Sequence, residues 1–188
     1  EIPNSGTYAE CFSNPEIDAV YISTLNSQHS ASIKNALDAG EHVFCEKPLV
    51  LKETEAIELF TLAEERGLIL MEGFMYRFHP QVQRMRELVS RGDLGKVKSI
   101  RADFSFMLGT QNTARRTRTG SGGALSDVGC YLIDFIHWVS GETELPTIQL
   151  NAKFEDPKAD SVDIHVIANL RFDSGLLVTM TCGIDHPS

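Results

Sequence analysis

The sequence predicts an α/β chain, a parallel sheet built from β-α units followed by an α+β domain with a largely antiparallel sheet. Three observations predict it: short apolar runs alternating with helix-period segments up to about residue 78, a switch to period-two alternation beyond Gly95, and a Gly-Gly-led helical segment within that second half.

Ala19-Val20-Tyr21-Ile22 reads as a buried strand, followed by a helix through Ile33, Ala36 and Leu37 that Gly40 closes. The unit repeats as the strand His42-Val43-Phe44-Cys45, a helix with Ala56, Leu59, Phe60 and Ala63 on one stripe ending at Gly67, and the strand Leu68 to Met71. Strands separated by helices of this length imply parallel pairing, with the sheet covered on both faces. Pro80 suits a first helical position, and the helix it opens runs through Val82, Met85 and Val89. Then Ile100, Ala102, Phe104, Phe106 and Leu108 alternate with polar residues, as do Ile148 to Phe154 and Ile164 to Phe172. Asp173-Ser174-Gly175 turns into a fourth strand, Leu176 to Cys182. A basic loop, Gln111 to Ser121, and a helix from about Ala124 to Ser140 lie between the first two of these strands.

The 188 residues carry 17 Lys and Arg against 26 Asp and Glu, a net charge of −9, which opposes any sequence-independent grip on nucleic acid or an anionic membrane surface. Cys11, Cys45, Cys130 and Cys182 are scattered, with neither metal-ligand spacing nor a disulfide framework, so no metal is expected and a reducing, cytoplasmic setting fits. No apolar run reaches membrane-spanning length, and Glu1 to Asn4 lack the features of a signal peptide.

Ligands of parallel α/β sheets bind beyond the carboxyl ends of the strands. Two polar segments fall there: Ser23-Thr24-Leu25-Asn26-Ser27-Gln28-His29, and Glu46-Lys47-Pro48, whose proline fixes the turn and can do so through a cis bond. The plain alternative is that Ser27 caps the next helix and Glu46-Lys47 is a solvated pair. On the later helix Asp127, Tyr131 and Asp134 share one polar stripe, either a proton-handling pair with a companion or an amphipathic face with an internally satisfied carboxylate. Glu72 to Pro80 is aromatic-rich, a hinge or pocket wall, and its Arg77 is a candidate substrate contact. Arg115, Arg116 and Arg118 are read as solvated or as facing an anionic group, and Trp138 as core.

Together these residues resemble the Gfo/Idh/MocA oxidoreductases: Asp18 to Ile22, Asn26 with His29, Ala39-Gly40-Glu41-His42-Val43 running into Glu46-Lys47-Pro48, and Gly122-Gly123-Ala124-Leu125 with Asp127, Gly129, Tyr131 and Asp134. Glu72 to Pro80 and Tyr131 are similar to the branch holding dimeric dihydrodiol dehydrogenases and glucose-fructose oxidoreductase. The resemblance implies a partial Rossmann-type parallel sheet over 1–78, the C-terminal part of a dinucleotide-binding domain, and an incomplete substrate-binding and oligomerisation domain over 79–188. It implies hydride transfer between NAD or NADP and a hydroxyl or carbonyl of a sugar, cyclic polyol or dihydrodiol, in a homo-oligomer paired through the antiparallel sheet. Ser23, Thr24, Asn26, His29, Glu46, Lys47 and Pro48 would line the cofactor. Lys47 would polarise the reacting oxygen, Tyr131 would be the general acid/base, and Asp127 would bind substrate and tune the proton path.

The chain has Thr24-Leu25-Asn26 where the family usually has Thr-Pro-Asn, and it contains no G-x-G-x-x-G turn, so the resemblance implies a piece of a longer protein lacking the phosphate-binding N-terminal region and the C-terminal end. Two other readings stand beside the enzyme: a non-catalytic dinucleotide- or sugar-binding regulator of the same fold, and an inactive truncated chain.

Overall fold

The computed structural model describes residues 5–109, 114–156 and 161–185, so Glu1 to Asn4 and positions 111–113 of the basic loop lie outside the described residues. The chain divides into two compact units, Glu1–Gly73 and Phe74–Ser188, five residues before the expected boundary.

In the first unit α1 (Tyr8–Phe12) precedes β1 (Ala19–Ile22), α2 (His29–Ala39), β2 (His42–Cys45), α3 (Glu53–Glu65) and β3 (Leu70–Glu72). The apolar pattern does not announce α1; a capping box does, with Glu10 N donating to Thr7 Oγ1 and the Glu10 carboxylate accepting from Thr7 N. The strands pair in parallel in the order β1-β2-β3, with Ala19 opposite His42 and Cys45 opposite Glu72. Gly40 ends α2 in the left-handed region at φ 90°, where a Cβ would be strained.

Ile22, Val43, Cys45 and Leu70 pack against Ile33, Ala36 and Leu37 of α2 and Leu59 and Ala63 of α3. Among the described residues nothing covers the opposite face, which the alternation of strands and helices had implied would be covered: Tyr21 is 57% exposed and Phe44 37%. Two right-handed crossovers taken in the same direction put both helices on one side of the sheet. The exposed rings stack on each other, centroids 5.3 Å apart.

The second unit holds α4 (Pro80–Ser90), β4 (Ser99–Ser105), a wide π-helical turn (Leu125–Gly129) running into α5 (Cys130–Ser140), β5 (Thr147–Phe154), β6 (Asp163–Arg171) and β7 (Leu177–Gly183). Pro80 opens α4 as expected, with the His79 ring accepting from Gln81 N. The sheet order is β4-β7-β6-β5. β5, β6 and β7 form an antiparallel meander, but β4 pairs with β7 in parallel, because the chain crosses from β4 to β5 over the sheet through α5. The sheet is therefore mixed.

Its core face carries Ile164, Val166, Ala168 and Leu170 of β6 and Val178, Met180 and Cys182 of β7 against Ala124, Val128, Leu132 and Ile136. Two expectations fail here. All eight residues of β5 are exposed, although Ile148 and Leu150 lie opposite buried Leu170 and Ala168. The helix covers β6 and β7 and stops short of this edge. In β4 the alternation slips: Phe104 is exposed and Ser105 buried, because the Phe104 ring packs on Tyr131 at 5.6 Å. Among the described residues no helix is long and apolar enough to cross a membrane, and no group of His, Cys, Asp or Glu is arranged to hold a metal ion.

Candidate active site

In the first unit the predicted residues gather at two adjacent strand ends. Glu46 N donates to Ile22 O at 2.8 Å, so the chain leaving β2 stays tied to the end of β1. The Lys47–Pro48 peptide is cis, the form the fixed turn suggested. Tyr21, on the uncovered face, donates its hydroxyl to Glu46 Oε1 at 2.5 Å, and that carboxylate acceptor holds the Tyr21 phenol above its usual range. Lys47 itself is half-buried.

Beyond β1, Ser23 is exposed and Thr24 half-buried. Thr24 Oγ1 is buried with no hydrogen-bond partner among the described residues. Asn26 opens a single 3-10 turn, Asn26–Gln28, that runs straight into α2. This displaces the expected cap: Gln28, not Ser27, takes the N-cap position, and no side chain caps the helix. His29 is fully buried rather than facing outward. Its Nδ1 lies 2.9 Å from Pro48 O and its Nε2 3.2 Å from Thr24 O.

In the second unit Gly122, Gly123 and Gly129 bring the Asp127–Tyr131 segment close to its surroundings. A Cβ on Gly122 would lie 2.2 Å from Arg115 O, and one on Gly129 would lie 2.8 Å from Leu125 Cδ1 and 2.9 Å from Cys182 Sγ. Gly123, at φ 110°, would meet Asp163 Oδ1, whose other oxygen accepts from Leu125 N at 2.7 Å and so satisfies a donor of the first turn. Asp127 sits inside the π-helical turn, 8% exposed, with Arg115 Nε 3.5 Å from its Oδ2. The other loop arginines are engaged elsewhere: Arg116 with Leu108 O, Gly109 O and Glu155, Arg118 with Ser161 O.

Tyr131 packs edge-on against Phe74 and near Tyr76, and its hydroxyl meets the Met75 thioether at 3.6 Å, a weak acceptor. Asp134 accepts from Tyr76 and from two guanidinium nitrogens of Arg77, so the third member of the polar stripe holds the Met75–Phe78 turn to α5. Burial, reinforced by that carboxylate, pushes the Tyr76 phenol far above the usual tyrosine range. Of the two neighbouring tyrosines, Tyr76 is the one locked as a donor to Asp134. Arg77, expected to meet substrate, spends its fork on Asp134 and lies over the Phe74 and Trp138 rings. Trp138, read as core, is half-buried, with Arg86 4.6 Å above its ring. Sequence spacing could not signal the Arg77–Asp134 or Arg115–Asp127 contacts, because only the tertiary fold joins residues that far apart.

Residues 1–74 match the family model described as an oxidoreductase family with an NAD-binding Rossmann fold, and residues 82–188 match that of the GFO/IDH/MocA C-terminal domain. A D-xylose 1-dehydrogenase (NADP(+)) of Haloferax volcanii is 35% identical across 97% of this chain and 55% of its own length. A trans-1,2-dihydrobenzene-1,2-diol dehydrogenase of Bos taurus is 32% identical across 98% of the chain and 54% of its own. Among solved structures, a 3-ketoreductase of Actinomadura kijaniata in complex with NADP and TDP-benzene superposes with a TM-score of 0.83 at 30% identity, covering 97% of this chain and 55% of that one. The aldose-aldose oxidoreductase of Caulobacter crescentus gives 0.86 at 27% identity, covering 95% and 54%. The chain thus spans about half the length of the curated relatives it matches. With one family model covering more than half of its residues and a second covering most of the remainder, the chain belongs to the Gfo/Idh/MocA family of oxidoreductases.

Proposed function

We propose that the protein carrying this chain is an NAD(P)-dependent oxidoreductase acting on a hydroxyl or carbonyl carbon of a sugar, cyclic polyol or dihydrodiol. The observation that carries the reading is the Glu46-Lys47-Pro48 turn, which sets a lysine at the carboxyl end of a parallel strand beside a second polar strand end. The residues there suit a dinucleotide: exposed Ser23 and half-buried Asn26 present polar side chains at the end of β1, next to the Glu46-Lys47-Pro48 turn. When bound, the nicotinamide supplies or accepts the hydride.

The chain's own residues supply the rest. The Lys47 ammonium stabilises negative charge on the substrate oxygen. Tyr131 gives or takes the hydroxyl proton. Asp127, with Arg115 beside it, accepts from a neighbouring substrate hydroxyl. The exposed Phe104 ring beside Tyr131 favours a substrate with an apolar face, and the names of the relatives support a sugar or dihydrodiol. The uncovered apolar residues of β5, Ile148, Leu150 and Phe154, support a homo-oligomer paired through the sheet. The four free cysteines fit a cytoplasmic setting.

The test is turnover followed by reduced-nicotinamide absorbance, with NAD and NADP, over aldoses, cyclic polyols and dihydrodiols. Turnover of one class that falls about 10²-fold or more in Tyr131→Phe supports the reading. Cofactor binding without any absorbance change over the whole panel replaces it with a non-catalytic binding role.

A further inference from the structure

We infer that His29 and Glu72 are positioning residues that grip one peptide plane from both ends and thereby set the direction of Lys47. The Pro48–Leu49 peptide follows Lys47 by one residue. Its carbonyl, on Pro48, faces His29 Nδ1 at 2.9 Å. Its amide, on Leu49, donates to Glu72 Oε1 at 2.8 Å. A single hydrogen bond leaves a peptide plane free to rock about that contact. Two bonds at opposite ends fix its rotation, and the ring of Pro48 fixes the φ angle between that plane and Lys47.

The two gripping side chains come from opposite neighbours of β2. His29 begins α2, just after β1, and is fully buried; the grip on Pro48 O uses an N–H on Nδ1, and Nε2 lies 3.2 Å from Thr24 O. Glu72 is the last residue of β3. Gly73 N then donates to Cys45 O at 2.7 Å, and a Cβ at Gly73 would stand 3.1 Å from that oxygen, so the chain bearing Glu72 lies flush against the end of β2. Neither side chain acts on a reacting atom; both act through the backbone that carries Lys47. His29 therefore serves the site from inside the fold rather than by lining the cofactor.

This inference rests on Lys47 being the catalytic lysine, and the experiment separates the two. In the active protein, His29→Asn keeps a donor near the position of Nδ1, whereas His29→Gln keeps one near Nε2 and loses the grip on Pro48. Likewise Glu72→Gln keeps the acceptor for Leu49 N, and Glu72→Leu removes it. The expected result is that His29→Gln and Glu72→Leu lose about 10- to 100-fold in kcat with substrate KM little changed, while His29→Asn and Glu72→Gln stay within about threefold of the parent. Amide exchange at Leu49 should speed up by about tenfold or more in Glu72→Leu and remain slow in Glu72→Gln. If Glu72→Leu does not fold, the His29 pair decides by its order. Equal kcat in the two His29 variants, the reverse order, or parental kcat in Glu72→Leu overturns the inference while the catalytic reading stands. Undiminished turnover in a Lys47→Met control removes the catalytic reading beneath it.

Discussion

Replacing Asp134 by alanine removes the acceptor that ties the Met75–Phe78 turn to α5. Asp134 is 11% exposed at its side chain and takes the Tyr76 hydroxyl together with Arg77 Nε, at 2.9 Å, and a second guanidinium nitrogen. The Tyr76 bond to a charged acceptor, with the cost of leaving a buried phenol unpaired, is worth about 2 kcal/mol. The Arg77 side chain is 40% exposed, so solvent screening holds its share to about 1 kcal/mol. Asp134→Ala should therefore destabilise the second unit by about 3 kcal/mol, lowering its melting midpoint by about 10 °C. Asp134→Asn, which keeps one acceptor, should cost about half as much, and Tyr76→Phe about 1 kcal/mol. Thermal and urea unfolding followed by circular dichroism measure all three. An Asp134→Ala midpoint within about 2 °C of the parent, or a Tyr76→Phe cost equal to that of Asp134→Ala, would mean that Asp134 does not hold the turn through both partners.

Burial pushes the Cys45 and Cys182 thiols up to about 12, so in the native protein only Cys11 and Cys130 should react with an aromatic disulfide reagent near neutral pH; fast labelling of four thiols before unfolding contradicts this. Glu41 is buried with neither carboxylate oxygen hydrogen-bonded among the described residues, and desolvation raises its pKa above the usual 4.5. The folded state then holds its proton more tightly than the unfolded state, so stability falls as pH rises from the unfolded value through the folded one. Glu41→Gln should raise the melting midpoint at neutral pH more than at acidic pH, and an equal gain at both contradicts the assignment. Gly122→Ala drives a Cβ into the Arg115 carbonyl and should destabilise the second unit by about 2 kcal/mol or more; a neutral result in urea unfolding means that loop is not held as described.

The sequence made some of this legible and hid the rest for identifiable reasons. Period-two alternation located β6 and β7 to within a residue, since both are backed by one helix and every second side chain is buried. The same alternation misled at β5 and at Phe104, because periodicity says which side chains share a face and not whether anything covers it. The alternation of strands and helices suggested a sheet covered on both sides, but which face a helix covers depends on the direction of its crossover. The Glu46-Lys47-Pro48 turn and the Asp127–Tyr131 helix were legible as polar residues standing where apolar ones were due. The burial of His29 and the bond from Leu49 to Glu72 were not, since they join residues 19 and 23 positions apart through strand pairing that no local pattern encodes.

Lys47 is proposed to stabilise the charge that develops on the substrate oxygen. That role is tested most directly by single-turnover hydride transfer in Lys47→Met, alongside cofactor affinity from nicotinamide fluorescence. The expected result is a rate lower by about 10²-fold or more, cofactor binding within a few-fold of the parent, and an unchanged melting midpoint. Transfer at the parental rate in a folded, cofactor-binding Lys47→Met protein would contradict it.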